Sequence, residues 1–423
     1  MTTNTITMRT QPLQTQSRCW KQKICNASTC VGKLFSINLQ AYSNKITKDI
    51  MSKINLILAT ILAVGSLTTA QAQFQRTPTP NDTLQSVRKQ ADGSVVFSIY
   101  APKARTVSLA GDIMPWGATP EVKENPNGVW NITIKDVKPG SYRYHFVVDG
   151  LNVYDPKAPL ASETSAIADI DDGNQFFSMK DVPHGAITQR YYHSKVLNTT
   201  SRMHVWTPAG YENSKEKLPV LYLIHGGGDS DNAWPTVGRA GFILDNLLAE
   251  GKIVPMIVVM PNANIPAQKR DMSDLMDNFT NDLMGSIMPF IESNYRCLTD
   301  KDHRAIGGLS MGGIQTLEIC LQNIDKFSYV FVLSSGFNPN IDYEQQAERF
   351  HIKENAAKIN KSFKMFVHTQ GGPSDITYRS GTNTNKIFDK YGIKYEYSEP
   401  YQTGHSWSTW RNNLNDLAPR LFK

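Results

Sequence analysis

Cysteine is scarce: five occur in 423 residues, and Cys19, Cys25 and Cys30 all lie near the N-terminus. The remaining pair, Cys297 and Cys320, is too small for a disulfide framework and has no metal-binding spacing. Both sit among apolar residues and read as buried structural thiols, with one disulfide between them as the alternative. No phosphate-cradling glycine loop, dinucleotide fingerprint or His/Cys/Asp/Glu ligand cluster is found, so neither cofactor nor metal is expected. Net charge is missing too, once its location is considered. The formal charge is +6, but seven Lys/Arg against Asp49 in residues 1–50 supply all of it. The rest of the chain sums to zero, which removes the case for a nucleic-acid partner. The mostly apolar stretch Ile54–Leu67 is too short to span a bilayer.

That stretch has another reading. Met51-Ser52-Lys53 is a short basic segment, Ile54–Leu67 an apolar one, and Ala70-Gln71-Ala72 a small-residue cleavage site, as in a secretory signal peptide over 51–72. The alternative is a buried helix opening a domain. No cysteine follows the cleavage site, so no lipid anchor is expected. Residues 1–50, without clear periodicity, are expected to be a spurious extension. The mature chain is expected to be secreted or periplasmic, with a net charge of about −1 once Lys53 is removed.

Residues 73–84, with Pro78 and Pro80, read as a linker. Short alternating segments follow over 85–175: Ser94–Tyr100, Thr106–Ala110, Val129–Ile134 and Ser141–Val148. Their spacing, with Gly/Pro/Asp turns between them, predicts an all-β sandwich. From residue 185 to 423 strands alternate with helices. Ile187–Leu197 and Ser201–Pro208 read as an antiparallel lead-in. Leu218–Ile224, Val254–Met260, Tyr329–Leu333, Phe363–His368 and Ile393–Tyr397 read as further strands. Phe242–Glu250, Leu283–Tyr295 and Gln315–Leu321 read as helices. Such alternation predicts a mostly parallel sheet covered on both faces. The fold class is α/β, preceded by an all-β domain. Phe176–Gly185, with neither pattern, is the expected boundary.

The chemistry centres on Gly308-Leu309-Ser310-Met311-Gly312. Gly-x-Ser-x-Gly between a strand and a helix lets the backbone make a strained turn that presents a nucleophilic hydroxyl. An α/β-hydrolase orders its triad Ser, acid, His, each at the C-terminal end of a strand. Asp375 follows the Phe363–His368 strand and His405 the last strand, so both stand where acid and base belong. Asp342 and Glu399 are the alternative acids. Two backbone N–H groups should hold the oxyanion: that of Met311 and one from the turn after Leu218–Ile224, Gly227 first and Gly226 next. His225 is expected to shape that turn. Trp234 and Trp407 are placed to wall an acyl pocket. In the sandwich, Trp116 and Tyr154 are candidates for stacking on sugar, whereas Trp130 and Tyr144 read as core.

Two stretches resemble known families. "VVFSIYAPKARTVSLAGD", "GVWNITIKDVKPGSYRYHFVVDG" and "YDPKAP" are similar to the family 48 carbohydrate-binding module, an immunoglobulin-like sandwich. "PVLYLIHGGGDSDNAW", "HRAIGGLSMGG" and "TGHSWSTWRNNLNDLAPRLF" resemble carbohydrate esterase family 1, the feruloyl and acetyl-xylan esterases. The resemblance implies an α/β-hydrolase fold with Ser310 as nucleophile, His405 as base and Asp375 as acid. "GGPSDITYRS" departs from the usual acid segment. The expected function is hydrolysis of feruloyl or related hydroxycinnamoyl esters on arabinoxylan-type plant cell-wall polysaccharide. The alternatives are acetyl-xylan esterase, siderophore-lactone esterase, or a glycan-binding protein with a vestigial hydrolase domain.

Expressed from Met51, the protein should appear outside the cytoplasm with its N-terminus near Gln73. N-terminal sequencing that finds residues 1–50 on the exported chain would contradict this.

Overall fold

Buried apolar runs fix the centre of the molecule. Five-residue strands whose every side chain is buried can only be interior strands of a sheet covered on both faces. The computed structural model describes residues 46–57, 77–114, 120–162, 165–264 and 272–423. Residues 46–57 are helical, so most of the expected signal peptide lies outside the described residues. Thr79–Lys423 form one compact unit.

Its first part is a two-sheet sandwich. One sheet has the order β1 (Val87–Lys89), β2 (Val95–Tyr100), β5 (Val129–Ile134), β4 (Glu121–Glu124). The other runs β3 (Val107–Gly111), β6 (Gly140–Val148), β9 (Ser165–Ile170), β8 (Leu160–Ser162), with β7 (Leu151–Val153) paired to β6. All ladders are antiparallel. Phe97, Ile132, Tyr144 and Phe146 fill the space between the sheets, and Trp130 joins them as expected. Sequence reading missed the short strands: β4 is exposed along its whole length and carries no buried alternation.

The second part is an eight-stranded sheet. β10 (Ala186–Ser194) and β11 (Thr199–Thr207) enter antiparallel. They are followed in space by β13 (Ile257–Pro261), β12 (Val220–Ile224), β14 (Arg304–Leu309), β15 (Tyr329–Leu333), β16 (Met365–Thr369) and β17 (Glu396–Ser398), all parallel. Helices α1 (Ala240–Ala249), α2 (Met272–Asp282), α3 (Met288–Asn294), α4 (Met311–Gln322), α5 (Tyr343–Arg349), α6 (Ile352–Ser362), α7 (Tyr378–Lys390) and α8 (Trp407–Leu417) connect and cover it. The architecture is the α/β-hydrolase one behind an all-β sandwich. Separate apolar clusters fill the two sides of the sheet, one centred on Tyr222, Ile306 and Phe337, the other on Trp206, Leu223 and Phe331.

One expectation changes and two gain detail. The helix expected over Leu283–Tyr295 begins at Met272 and passes through a π-helical segment, Leu283–Ile287, before α3. Cys297 and Cys320 are buried, free thiols, as expected, and the alternative of a disulfide between them is not realised. Phe176–Gly185, the expected boundary, packs against the hydrolase part. Phe177 is 5% exposed within the hydrolase core, and Asn246 Nδ2 of α1 donates to the carbonyls of Phe176 (2.8 Å) and Ser178 (2.9 Å).

A phenylalanine buried there is a core residue of the sheet domain. Phe177→Ala is expected to lower unfolding free energy by about 3–5 kcal/mol, and a chain starting at Asp181 should melt well below the full-length protein. A calorimetric midpoint unchanged by either would show that the segment contributes no packing.

Candidate active site

The C-terminal ends of β12, β14 and β16 gather the expected chemistry at one edge of the sheet. β14 ends at Leu309, and the next residue turns sharply: Ser310 has φ +53° and ψ −120° before α4 begins. A non-glycine residue held there is strained by about 1–3 kcal/mol. Backbone bonds hold it: Ser310 N–H donates to Leu333 O at 2.9 Å, and Ser335 Oγ–H donates to Ser310 O at 2.6 Å. The turn also needs space. A Cβ on Gly312 would collide with the His225 carbonyl oxygen, a backbone atom that cannot step aside.

His405 lies between the other two groups. Its Nε2 is 2.9 Å from Ser310 Oγ and its Nδ1 2.8 Å from Asp375 Oδ1. Asp375 is 4% exposed and also accepts from Thr377 N–H (2.9 Å), Thr377 Oγ1 (2.8 Å) and Gly371 N–H (3.1 Å). Burial alone would raise its pKa. The hydrogen bonds, that of His405 foremost, outweigh burial and hold the carboxyl well below the usual carboxylate range. An ionised Asp375 fixes the tautomer with hydrogen on Nδ1, which leaves Nε2 free to accept the serine proton. The alternative acids stand elsewhere. Asp342 caps α5 by accepting from Glu344 and Gln345 N–H, each at 3.0 Å. Glu399 Oε2 is buried without a partner among the described residues.

The Gly226–Asp229 turn lies against the elbow. Asp229 N–H closes it on Gly226 O at 3.3 Å, and Gly228, at φ +79°, takes a left-handed conformation suited to glycine. A Cβ on Gly226 would sit 3.2 Å from Ser310 Cβ, and one on Gly227 3.8 Å from Met311 Cβ. The Gly226–Gly227 backbone therefore lies close against Ser310 and Met311; as the first helical residue, Met311 has no intrahelical acceptor for its N–H. His225 shapes this turn as expected. Its Nε2 accepts Ala263 N–H at 3.0 Å, so Nδ1 carries hydrogen and donates to Gly226 O at 2.8 Å. Burial pushes the His225 pKa down and keeps it neutral.

Trp234 and Trp407 do not wall the pocket. They are 1% and 5% exposed and pack edge-to-face at 5.2 Å. Trp407 packs on Trp410, whose ring lies edge-on to His405 at 5.0 Å. The indoles are a buried stack behind the imidazole. The cavity beside Ser310, about 570 Å³, is instead lined by Met311, Ile314, Asn338, Tyr343, Ile376 and Arg379, among others. Sequence reading missed all but Met311, because most of the walls come from the segment between β15 and α5 and from the start of α7, with Ile314 added by α4. Asn338 is notable among them. Its Oδ1 accepts Asn340 N–H at 3.0 Å, while its buried Nδ2 has no partner among the described residues. Trp116 lies outside the described residues. Tyr154 is 43% exposed on the sandwich.

The family model described as "Putative esterase" matches residues 194–421, more than half of the chain and the whole of this site. The chain belongs to this esterase family. Carbohydrate-binding module 48 (isoamylase N-terminal domain) matches residues 85–163, within the sandwich. An endo-1,4-beta-xylanase/feruloyl esterase of Xylanibacter ruminicola is 30% identical over 351 residues, covering 79% of this chain and 45% of that protein. The chain thus spans less than half the length of that relative. Two solved structures share the fold. A ferulic acid esterase of Anaeromyces mucronatus covers 59% of this esterase and 95% of its own chain, at 23% identity and TM-score 0.51. The enterobactin esterase of Shigella flexneri covers 81% and 97%, at 13% identity and TM-score 0.55.

Gly312→Ala should lower the melting temperature and slow labelling of Ser310 by a fluorophosphonate, because the new methyl group must push either α4 or the His225 backbone away. Parent-like labelling would show that the elbow tolerates a side chain there.

Proposed function

We propose that the protein is an exported serine esterase that removes hydroxycinnamoyl groups, ferulate first, from xylan-type polysaccharide. The observation that carries this reading is His405 bridging Ser310 and Asp375 beside an open cavity. Ser310 Oγ attacks the ester carbonyl while its proton passes to His405 Nε2. Gly227 and Met311 N–H, with Gly226 holding the turn, receive the charge that develops on the carbonyl oxygen. Asp375 stabilises the imidazolium and holds its orientation. The proton then goes to the leaving sugar hydroxyl, leaving an acyl-serine. Water, activated by the same imidazole, attacks that ester and restores Ser310.

A cavity of about 570 Å³ falls in the range that encloses drug-sized ligands and is generous for an acetyl group. The xylanase/feruloyl esterase relative supports a plant cell-wall ester, and the sandwich's likeness to a carbohydrate-binding module supports a glycan partner, with Trp116 and Tyr154 as its stacking candidates. One observation favours a second reading, a siderophore-lactone esterase: the fold likeness to the enterobactin esterase extends over both parts of the chain.

Methyl ferulate and methyl coumarate should be hydrolysed faster than acetyl esters or a catecholate lactone. Faster turnover of the lactone would favour the second reading. Ser310→Ala and His405→Ala should each abolish turnover without unfolding, and their losses should not add. Asp375→Asn should lower kcat by about 10²–10⁴. Stopped-flow rates within a few-fold of the parent for Asp375→Asn would remove that residue from the mechanism.

A further inference from the structure

We propose that Arg143, a residue of the sandwich, is a positioning residue of the esterase site: it holds Asp229 and thereby the Gly226–Asp229 turn that lies against Ser310 and is assigned here to the oxyanion. This rests on the esterase reading above. Arg143 stands on β6. Its guanidinium grips Asp112 of the sandwich, Nε to Oδ2 at 2.6 Å and Nη2 to Oδ1 at 3.2 Å, and extends Nη1 to Asp229 Oδ1 in the hydrolase. One planar fork thus spans two carboxylates on two domains.

The turn needs an outside anchor. Three consecutive glycines, Gly226, Gly227 and Gly228, make it the most permissive piece of backbone near Ser310. The bond closing it is long, 3.3 Å from Asp229 N to Gly226 O. An oxyanion donor works only if it is in place before charge develops, so flexibility here costs rate rather than binding. Asp229 is the last residue of the turn and is 9% exposed. Its backbone carbonyl accepts from Asn264 Nδ2, and its carboxylate is the group Arg143 holds. Burial, with Asp112 nearby, pushes the Asp229 pKa up to about 6 despite the opposing pull of Arg143. Without the arginine, the carboxylate either takes up a proton or swings toward water, and either change releases the end of the turn.

The sandwich is fixed well enough to serve as the anchor. Two residues before Arg143, Ser141 O accepts from Arg411 Nη1 of α8 at 3.4 Å. Arg239, immediately before α1, donates Nη1 to Asp169 of β9 at 2.9 Å and lies 3.7 Å from Asp171. Strand β6 is therefore tied at one point to the helix that follows His405 and at another to the oxyanion turn. A module whose role ended at holding polysaccharide has no need of the second tie.

The test uses full-length protein and methyl ferulate, a soluble ester with no polysaccharide for the sandwich to bind. Arg143→Gln should lower kcat about 10- to 100-fold, less than the loss of an oxyanion donor itself, with KM within about twofold. Arg143→Lys, which keeps the charge, should recover part of the loss. Asp229→Asn should resemble Arg143→Gln, and the double variant should be no worse than either single one, because both break the same link. Melting temperatures identify any variant that fails to fold; Arg143→Lys and Asp229→Asn then supply the reading. Parent-like kcat in folded Arg143→Gln, or additive losses in the double variant, would overturn the proposal. Failure of the esterase reading would be visible in the parent alone, as absence of turnover on every ester. The rate of fluorophosphonate labelling of Ser310 in parent and variants would then carry the same comparison.

Discussion

Holding Ser310 at φ +53° and ψ −120° costs energy that a relaxed turn would not incur, and much of the surrounding structure serves to keep it there. The strand before it is buried along nearly its whole length and paired on both sides, to β12 and β15, so the elbow cannot relax by moving β14. Ser335 fastens the Ser310 carbonyl, and glycine at 312 admits the His225 backbone. The hydroxyl is thereby presented at a fixed point, within hydrogen-bond reach of an imidazole that has itself been oriented.

Around that point the groups are held by elements distant in sequence. His405 has Asp375 on one nitrogen and an indole edge of Trp410 against its ring. The Gly226–Asp229 turn has His225 on one carbonyl and a salt bridge at its end. The protein places rigid, buried supports behind each mobile part, while the glycines that give the turn its shape contribute no rigidity of their own. This division explains why the sandwich matters to the site even for a substrate that never touches its outer face.

What could be read in the sequence follows from physical distance along the chain. β15 was delimited to the residue, because a run of five buried apolar residues between polar loops admits little else. That Ser310, His405 and Asp375 would come together was legible because strand order and loop position constrain them jointly. Helices α6 and α7 were not: both are amphipathic, but their compositions are polar and few apolar residues mark the buried face. Trp234 and Trp407 were misread as pocket walls because an aromatic beside a motif looks the same whether it meets ligand or core; the i, i+3 pair Trp407 and Trp410 on one helix face pointed to core. Asn338 and Arg143 gave no signal. Arg143 lies 86 residues from Asp229, and only tertiary structure brings them together.

The central claim, that Ser310 carries the acyl group, is tested most directly by trapping it. Acid quenching of the protein within its first turnovers on methyl ferulate, followed by peptide mass spectrometry, should find the feruloyl mass on Ser310. Turnover of the ester with no adduct there, or with the adduct on another residue, would contradict the account.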